Sequence, residues 1–279
     1  MNHWRDWQSV AYLIGLPTLV AWTWMEPSFN PVAYVAILTL AIGVCCISHN
    51  HSHVPIWHVQ WLNRLTDMWI GTLQGHPTFL FRPAHVDSHH RFNQGPEDLT
   101  RVTQYASDNT LLGYFIFPLR ILPALQKLKK RYLASRWLEA RHEFWWIVAL
   151  YLPLLALWMG VFWLNPLKAL IYIVIPQLLS LHFLLASNYL QHVHAVAGSR
   201  YNHSRNFVGL INLVWFNVGY HTAHHEKETL HWTLLPAMHR ELSGRINLAL
   251  VETSLIMYFA RTLFLGHMIP RLRSQPVKE

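Results

Sequence analysis

Four uncharged apolar runs, arranged as two pairs, limit what this chain can fold into. Residues 10 to 25 (VAYLIGLPTLVAWTWM) and 32 to 48 (VAYVAILTLAIGVCCIS) are joined by EPSFNP, and residues 144 to 164 (FWWIVALYLPLLALWMGVFWL) and 169 to 187 (ALIYIVIPQLLSLHFLLAS) by NPLK. Each run is close to the roughly 20 residues a helix needs to cross a bilayer. An uncharged pair about one short turn reads as a transmembrane hairpin, with Pro17 kinking the first helix without breaking it. Composition agrees, since 52% of residues are hydrophobic and 13% charged, against about 25% charged in soluble domains. The 14 Trp and 11 Tyr suit the boundary between lipid tails and headgroups. No small-residue cleavage site follows the first run, which is read as a retained helix rather than a signal peptide.

The net charge of +8 could in a soluble protein suggest nucleic acid. Here Lys and Arg avoid the apolar runs. The segment 49 to 143 holds eleven and the segment from 187 holds nine, while the N-terminus and the 165 to 168 turn hold one each. The positive-inside bias therefore predicts that both termini and both long segments are cytoplasmic. Cys45 and Cys46 are adjacent in an apolar run without CxxC spacing, and are read as structural.

Between the hairpins, WLNRLTDMWIGTLQG (61 to 75) reads as an amphipathic interfacial helix. LLGYFIFPLRILPAL (111 to 125), interrupted by Pro118, Arg120 and Pro123, reads as interfacial or re-entrant. FVGLINLVWFNVGYHTAHHE (207 to 226) is a further amphipathic approach. Residues 246 to 265 form a last helix, kept out of the bilayer by Glu252 and Arg261. The whole is expected to be one domain, 1 to 279.

Histidine numbers 20, more than Asp and Glu together at 14. Three clusters stand out, each just beyond an apolar segment: His49 and His53 in HNHSH, His85, His89 and His90 in HVDSHH, and His221, His224 and His225 in HTAHHE. On a helix, residues at i, i+3 and i+4 share a face. Asn188 and His192 share one at the end of the fourth run. Imidazole suits iron, zinc, copper or nickel, so spacing does not name the metal, but the number of ligands exceeds the four of a structural zinc and suits two ions with open positions. His51 and His194 point away from the ligand faces. His76, His231 and His239 could lie behind the ligands or at headgroups, and His182 packs within its helix. His3, His58, His142, His203 and His267 read as surface or interfacial. Asp87 and Glu226 are candidates to orient ligand rings. Trp215 and Phe216 are near enough to the third cluster to line a substrate channel.

HxxxH, HxxxHH and HxxHH on two hydrophobic hairpins resemble the membrane fatty acid desaturase and hydroxylase superfamily of non-haem di-iron enzymes. VWFNVGYHTAHHEKETLHWTLLPAMH looks like the family's third histidine box and its aftermath. NYLQH (188 to 192) looks like the Asn and His that complete the iron sites. The spacing HxxxHH departs from the HxxHH of acyl-CoA desaturases, which favours a bacterial-type relative acting on acyl-lipid or acyl-carrier substrates. The resemblance implies an all-α integral membrane protein with four transmembrane helices in two hairpins and a cytoplasmic helical cap (49–143 and 188–279), multi-pass in a bacterial inner membrane. It implies two iron ions held by His49, His53, His85, His89, His90, Asn188, His192, His221, His224 and His225, with O2 as cosubstrate and a fatty acyl chain as substrate.

The expected activity is an oxygen-dependent acyl desaturase. Hydroxylation, acetylenic bond formation and decarboxylation to a terminal alkene use the same boxes and stay open. A divalent-metal transporter is a remoter alternative, disfavoured because no acidic residue lies in the four runs. His76-Pro77 is followed by Thr, so no cytochrome b5 domain is expected, and neither a paired CxxC nor a Gly-rich dinucleotide motif is present. Electrons are expected from a separate ferredoxin, rubredoxin or cytochrome with its reductase. Lys127, Lys129, Lys130 and Arg131 could dock an acidic carrier, or be inward-facing charge with no partner.

Overall fold

The computed structural model describes residues 1–278 and divides into two compact units, Met1–Arg82 with Leu128–Leu184, and Pro83–Lys127 with Leu185–Glu279. Among the described residues six long helices carry about half of the chain: α1 (Trp7–Met25), α2 (Pro31–His53), α3 (Gln60–Gln74), α4 (Leu111–Glu139), α5 (Arg141–Leu164) and α6 (Pro166–His192). The starts of α2 and α6 use the same two residues. Asn30 accepts from the N–H groups of Val32 and Ala33, and Asn165 from that of Lys168. Pro31 and Pro166 take the first helical position, where no N–H is needed.

Among the described residues, four helices are long and apolar enough to cross a membrane: α2, α4, α5 and α6. Three contain the expected runs 32–48, 144–164 and 169–187. The fourth differs from expectation. The run 10–25 lies in the continuous helix α1, which is not among the four, because Gln8, Ser9, Thr18 and Thr23 dilute its hydropathy. Residues 111–125, expected to be interfacial or re-entrant, form the first half of the unbroken α4. Tyr114, Phe117, Ile121 and Leu125 are buried in the core of the second unit. That packing holds the helix across Pro118 and Pro123, as tertiary contacts commonly override local propensity.

In the first unit α2 is deeply buried, with Ile37, Val44, Cys45, Cys46 and Ile47 all inaccessible. α3 forms as its amphipathic pattern requires, burying Ile70, Gly71, Thr72 and Gln74. In the second unit the core gathers Val102, Phe117, Tyr189, Leu190, Phe207 and Tyr258. Tyr189 reaches through it: its hydroxyl donates to Asp108 O at 2.6 Å and accepts from Thr110 N at 2.8 Å. A Cβ on Gly113 would lie 2.5 Å from that hydroxyl, so only glycine fits there.

Two other segments depart from the expected helices. Residues 207–226 are broken by a two-residue strand β1 (Asn206–Phe207), and by Phe216 and Asn217 in the left-handed region at φ 54° and 59°. β1 pairs in parallel with β2 (Val251–Glu252). The last helix begins only after β2, with Ser254 capping it by accepting from Met257 N, and runs over Leu255–Met268. Glu252 and Arg261, which marked that segment as polar, bind each other at 2.7 Å.

Candidate metal centre

Four imidazoles of the second unit, three buried and that of His225 partly so, converge. The ligand nitrogens of His89, His192, His221 and His225 all lie within 4.8 Å of one another. His192 Nε2 is 3.0 Å and His225 Nε2 3.1 Å from His221 Nε2. Two nitrogens each about 2.1 Å from one ion lie about 3.0 Å apart at neighbouring octahedral corners and about 3.4 Å apart in a tetrahedron. The two short edges are of the size that nitrogens sharing one ion would span, and one further group is a candidate to join the four histidines. The Asn188 amide donates to Thr100 O at 2.7 Å, while its Oδ1 is buried without a hydrogen-bond partner. An orphaned buried oxygen on the turn before His192 is the group a cation would satisfy.

Two of the four rings are aimed by groups behind them. His89 Nδ1 lies 2.9 Å from Asp98 Oδ2, with both side chains almost wholly inaccessible. Burial would push the Asp98 carboxyl up, but the hydrogen bond and charge of His89 and the N–H groups of Thr100 and Gln94 hold it well below the usual carboxylate range. The pair is therefore a carboxylate and an Nδ1–H, with Nε2 turned towards the other histidines. His192 Nδ1 donates to His203 O at 2.8 Å, which fixes the same tautomer. Burial, followed by the neighbouring imidazoles, lowers His221 and His225 well below the ordinary histidine range, so both present lone pairs.

The backbone that carries these rings is pinned by uncharged donors and one buried cation. Asn206 on β1 accepts from Thr222 N at 3.0 Å and donates to Thr222 Oγ1 at 2.8 Å, fixing the start of the short helix α7 (His221–Glu226). Arg205 is buried. It donates to Leu190 O at 2.9 Å and Val193 O at 3.1 Å, closing the end of α6 around His192, and its guanidinium lies over Tyr258 at 4.9 Å.

A protein-family model described as fatty acid desaturase matches residues 27–252. The chain belongs to the fatty acid desaturase family. No curated protein matches it.

In this desaturase family member the second box lies on a π-helix, Arg82–His90. N–H groups there bond back five residues, so residues five apart stand nearly one above the other. His85 and His90, which an α-helix would turn apart, have Nε2 atoms 3.0 Å from each other. The extra residue of HxxxHH is absorbed by this wider turn. α7 then divides the third box. His221 and His225, four apart, join the tetrad, while His224 stands by His85 and His90 with ring centroids 6.1 and 4.6 Å away. In the first unit His49 and His53 present rings 5.1 Å apart on the last turn of α2.

Three residues expected elsewhere or not singled out belong to this region, and two expected ones do not. Asp87 is exposed. Glu226 is taken by Arg200, whose Nε contacts both carboxylate oxygens at 3.1 Å. The carboxylates that stand behind ligand rings are Asp98 and, at 3.4 Å from His90 Nδ1, Glu228. Both lie in loops, where no periodic pattern marks them. His203, expected at the surface, is buried beside His225 at 4.9 Å and His192 at 6.1 Å. Its Nδ1 bonds the carbonyls of Ser199 and Arg200, its Nε2 is buried without a hydrogen-bond partner, and burial pushes its pKa down to about 4. His51 is also buried, with Nδ1 accepting from Ile56 N at 3.1 Å, in keeping with its turning from the ligand face.

Proposed function

We propose that this protein is an oxygen-dependent fatty acyl desaturase with two iron ions. The observation that carries the proposal is the largely buried tetrad His89, His192, His221 and His225, backed by the Asp98 carboxylate, in a chain of the fatty acid desaturase family. One ion is assigned to the tetrad with Asn188. The other draws on the remaining candidates His49, His53, His85, His90 and His224. Reduced iron with dioxygen supplies the oxidising power that removal of hydrogen from an unactivated methylene requires.

The overall change converts –CH2–CH2– with O2, two electrons and two protons into –CH=CH– and two waters, so a separate ferredoxin, rubredoxin or cytochrome must deliver the electrons. The protein's own groups hold the ligands in one tautomer. Asp98 keeps a proton on His89 Nδ1, and His203 O keeps one on His192 Nδ1. The Nε2 lone pairs of His89 and His192 are thereby presented inward without reorganisation. The basic residues Lys127, Lys129, Lys130 and Arg131 are assigned to an acidic carrier or to the headgroup region, on the cytoplasmic side.

Membranes containing the protein, incubated with labelled acyl substrates, oxygen, a ferredoxin and its reductase, are expected to yield an unsaturated product of unchanged carbon number. A product one carbon shorter, or an alcohol as the main species, would overturn desaturation while leaving the metal assignment intact. Purified protein reconstituted with ferrous iron is expected to hold two irons per chain, and one stoichiometric zinc with no dependence on iron would contradict the centre itself.

A further inference from the structure

α3 stops short of the helices around it. It starts near the beginning of α1, where Asn2 N donates to Ile56 O at 2.8 Å, and runs beside α1 with Trp69 Nε1 donating to Leu13 O at 2.9 Å. It ends at Gly75, whose φ of 80° is the left-handed cap that glycine adopts freely. A Cβ there would lie 2.8 Å from the Gln177 side chain on α6, so the turn is fitted closely against that helix. Past this point α1, α5 and α6 continue towards the turns at 26–31 and 165–168 and leave a groove of about 410 Å³ between them.

The groove is built for hydrocarbon. Its lining follows one face of α1 from Leu16 to Met25, ten residues or roughly 14 Å of helix, the length of about eleven extended methylenes. Across it stand Val161, Leu164 and Ile173. Two polar side chains of its lining, Thr72 and Gln177, are already satisfied. Thr72 donates to Met68 O at 2.8 Å, and Gln177 donates to Thr72 O at 3.1 Å and accepts from Trp158 Nε1 at 2.9 Å. Water would find too few partners there, and an empty groove would forfeit the dispersion contacts of its walls. At the end near the turns, Lys168 donates to the carbonyls of Trp24 and Glu26, and it is the one Lys or Arg in either turn.

We propose that the groove is a lipid-binding site for one acyl chain of a membrane phospholipid, lying lengthwise against α1, α5 and α6 with its phosphate beside Lys168. The inference rests on these helices crossing the bilayer and is independent of the reaction assigned to the metal centre. None of the ten candidate ligands lines the groove, so the chain is held there rather than oxidised.

The test uses the full protein in vesicles of phosphatidylethanolamine and phosphatidylglycerol, with a trace of phosphatidylglycerol carrying a photoreactive diazirine on its acyl chain. Crosslinks mapped by mass spectrometry are expected to concentrate on the groove-lining parts of α1, α3, α5 and α6. Ala21, exposed on the groove face of α1, offers a filling variant. Ala21→Trp is expected to lose the labelling, while Ile14→Trp, at an exposed position of the same helix outside the lining, keeps it. Lys168→Gln is expected to weaken labelling by phosphatidylglycerol. Crosslinks spread evenly over the lipid-facing residues, or unchanged labelling of Ala21→Trp, would overturn the site. Preferential labelling by a diazirine free fatty acid that is also turned over would overturn it too, making the groove a substrate passage. Because the wild-type crosslink map stands without any variant, a poorly folding Ala21→Trp leaves the inference open to refutation.

Discussion

Replacing Asp98 with Asn changes almost nothing in shape and removes one charge at a place where every neighbour is a donor. Oδ1 accepts from Thr100 N at 2.8 Å and Thr100 Oγ1 at 2.9 Å, and Oδ2 from Gln94 N at 3.0 Å and His89 Nδ1 at 2.9 Å. An amide must turn its NH2 to one side. Facing Thr100, it leaves that residue's buried N–H unpartnered; facing Gln94, it opposes both Gln94 N–H and His89 Nδ1–H. Leaving one buried donor unsatisfied costs about 1–3 kcal/mol, the expected loss of folding stability. Removing a carboxylate from behind a ligating histidine lowers metal affinity about 10- to 100-fold, or about 1.4–2.7 kcal/mol. The assay is a cobalt titration of detergent-solubilised, chelator-treated protein, followed by its visible spectrum. Asp98→Asn is expected to weaken one of two binding phases by that factor and leave the other in place. Asp87→Asn and Glu226→Gln, at carboxylates away from the rings, are expected to leave both phases unchanged. Wild-type affinity in Asp98→Asn would refute the claim that this carboxylate orients a ligand.

Each cluster should prove individually indispensable: His85→Ala, His192→Ala and His224→Ala are expected to abolish acyl oxidation while the protein still inserts into membranes, and wild-type turnover in any one removes that residue from the ligand set. Asn188→Ala is expected to be milder, lowering turnover and the affinity of the tetrad's ion without abolishing either; a complete loss would place it among the essential ligands. Between pH 6.5, the ordinary histidine value, and about 4, the value His203 has in the fold, the unfolded chain takes up a proton that the folded chain refuses. Stability of metal-free protein is therefore expected to fall as pH falls through this window, by about 1.4 kcal/mol per pH unit for that one group. His203→Asn, whose amide can still reach the Ser199 and Arg200 carbonyls, should flatten the slope of Tm against pH by that amount, and an unchanged slope would show that His203 is not held neutral by the fold.

The tetrad was legible where a regular helix fixes the spacing. His221 and His225, and Asn188 and His192, are four residues apart and share a face because the segments that carry them are helical. The orienting groups were not legible, because Asp98, Glu228 and His203 reach the rings through loops whose path depends on tertiary structure. Gln94 shows the difficulty: it sits at φ 64° and donates its N–H to Asp98, a turn that no periodicity announces. The apolar runs 32–48, 144–164 and 169–187 identified helices correctly because uncharged length is a local property. Run 10–25 likewise lies within one helix, α1, and the two prolines of 111–125 mattered less to the continuity of α4 than the core that it buries.

The π-helix at Arg82–His90 also bears on how such chains are compared. A wide turn of this kind is an α-helix with one residue added, and the added residue bulges outward while the flanking turns keep their phase. Deleting a single residue from between His85 and His89 would give HxxHH on an ordinary helix with the imidazoles still on one side. The two spellings of the second box are thus one insertion apart, and a pattern search that demands either spacing will discard chains whose ligands stand in the same place. The letter count of the box reports how tightly the helix is wound there.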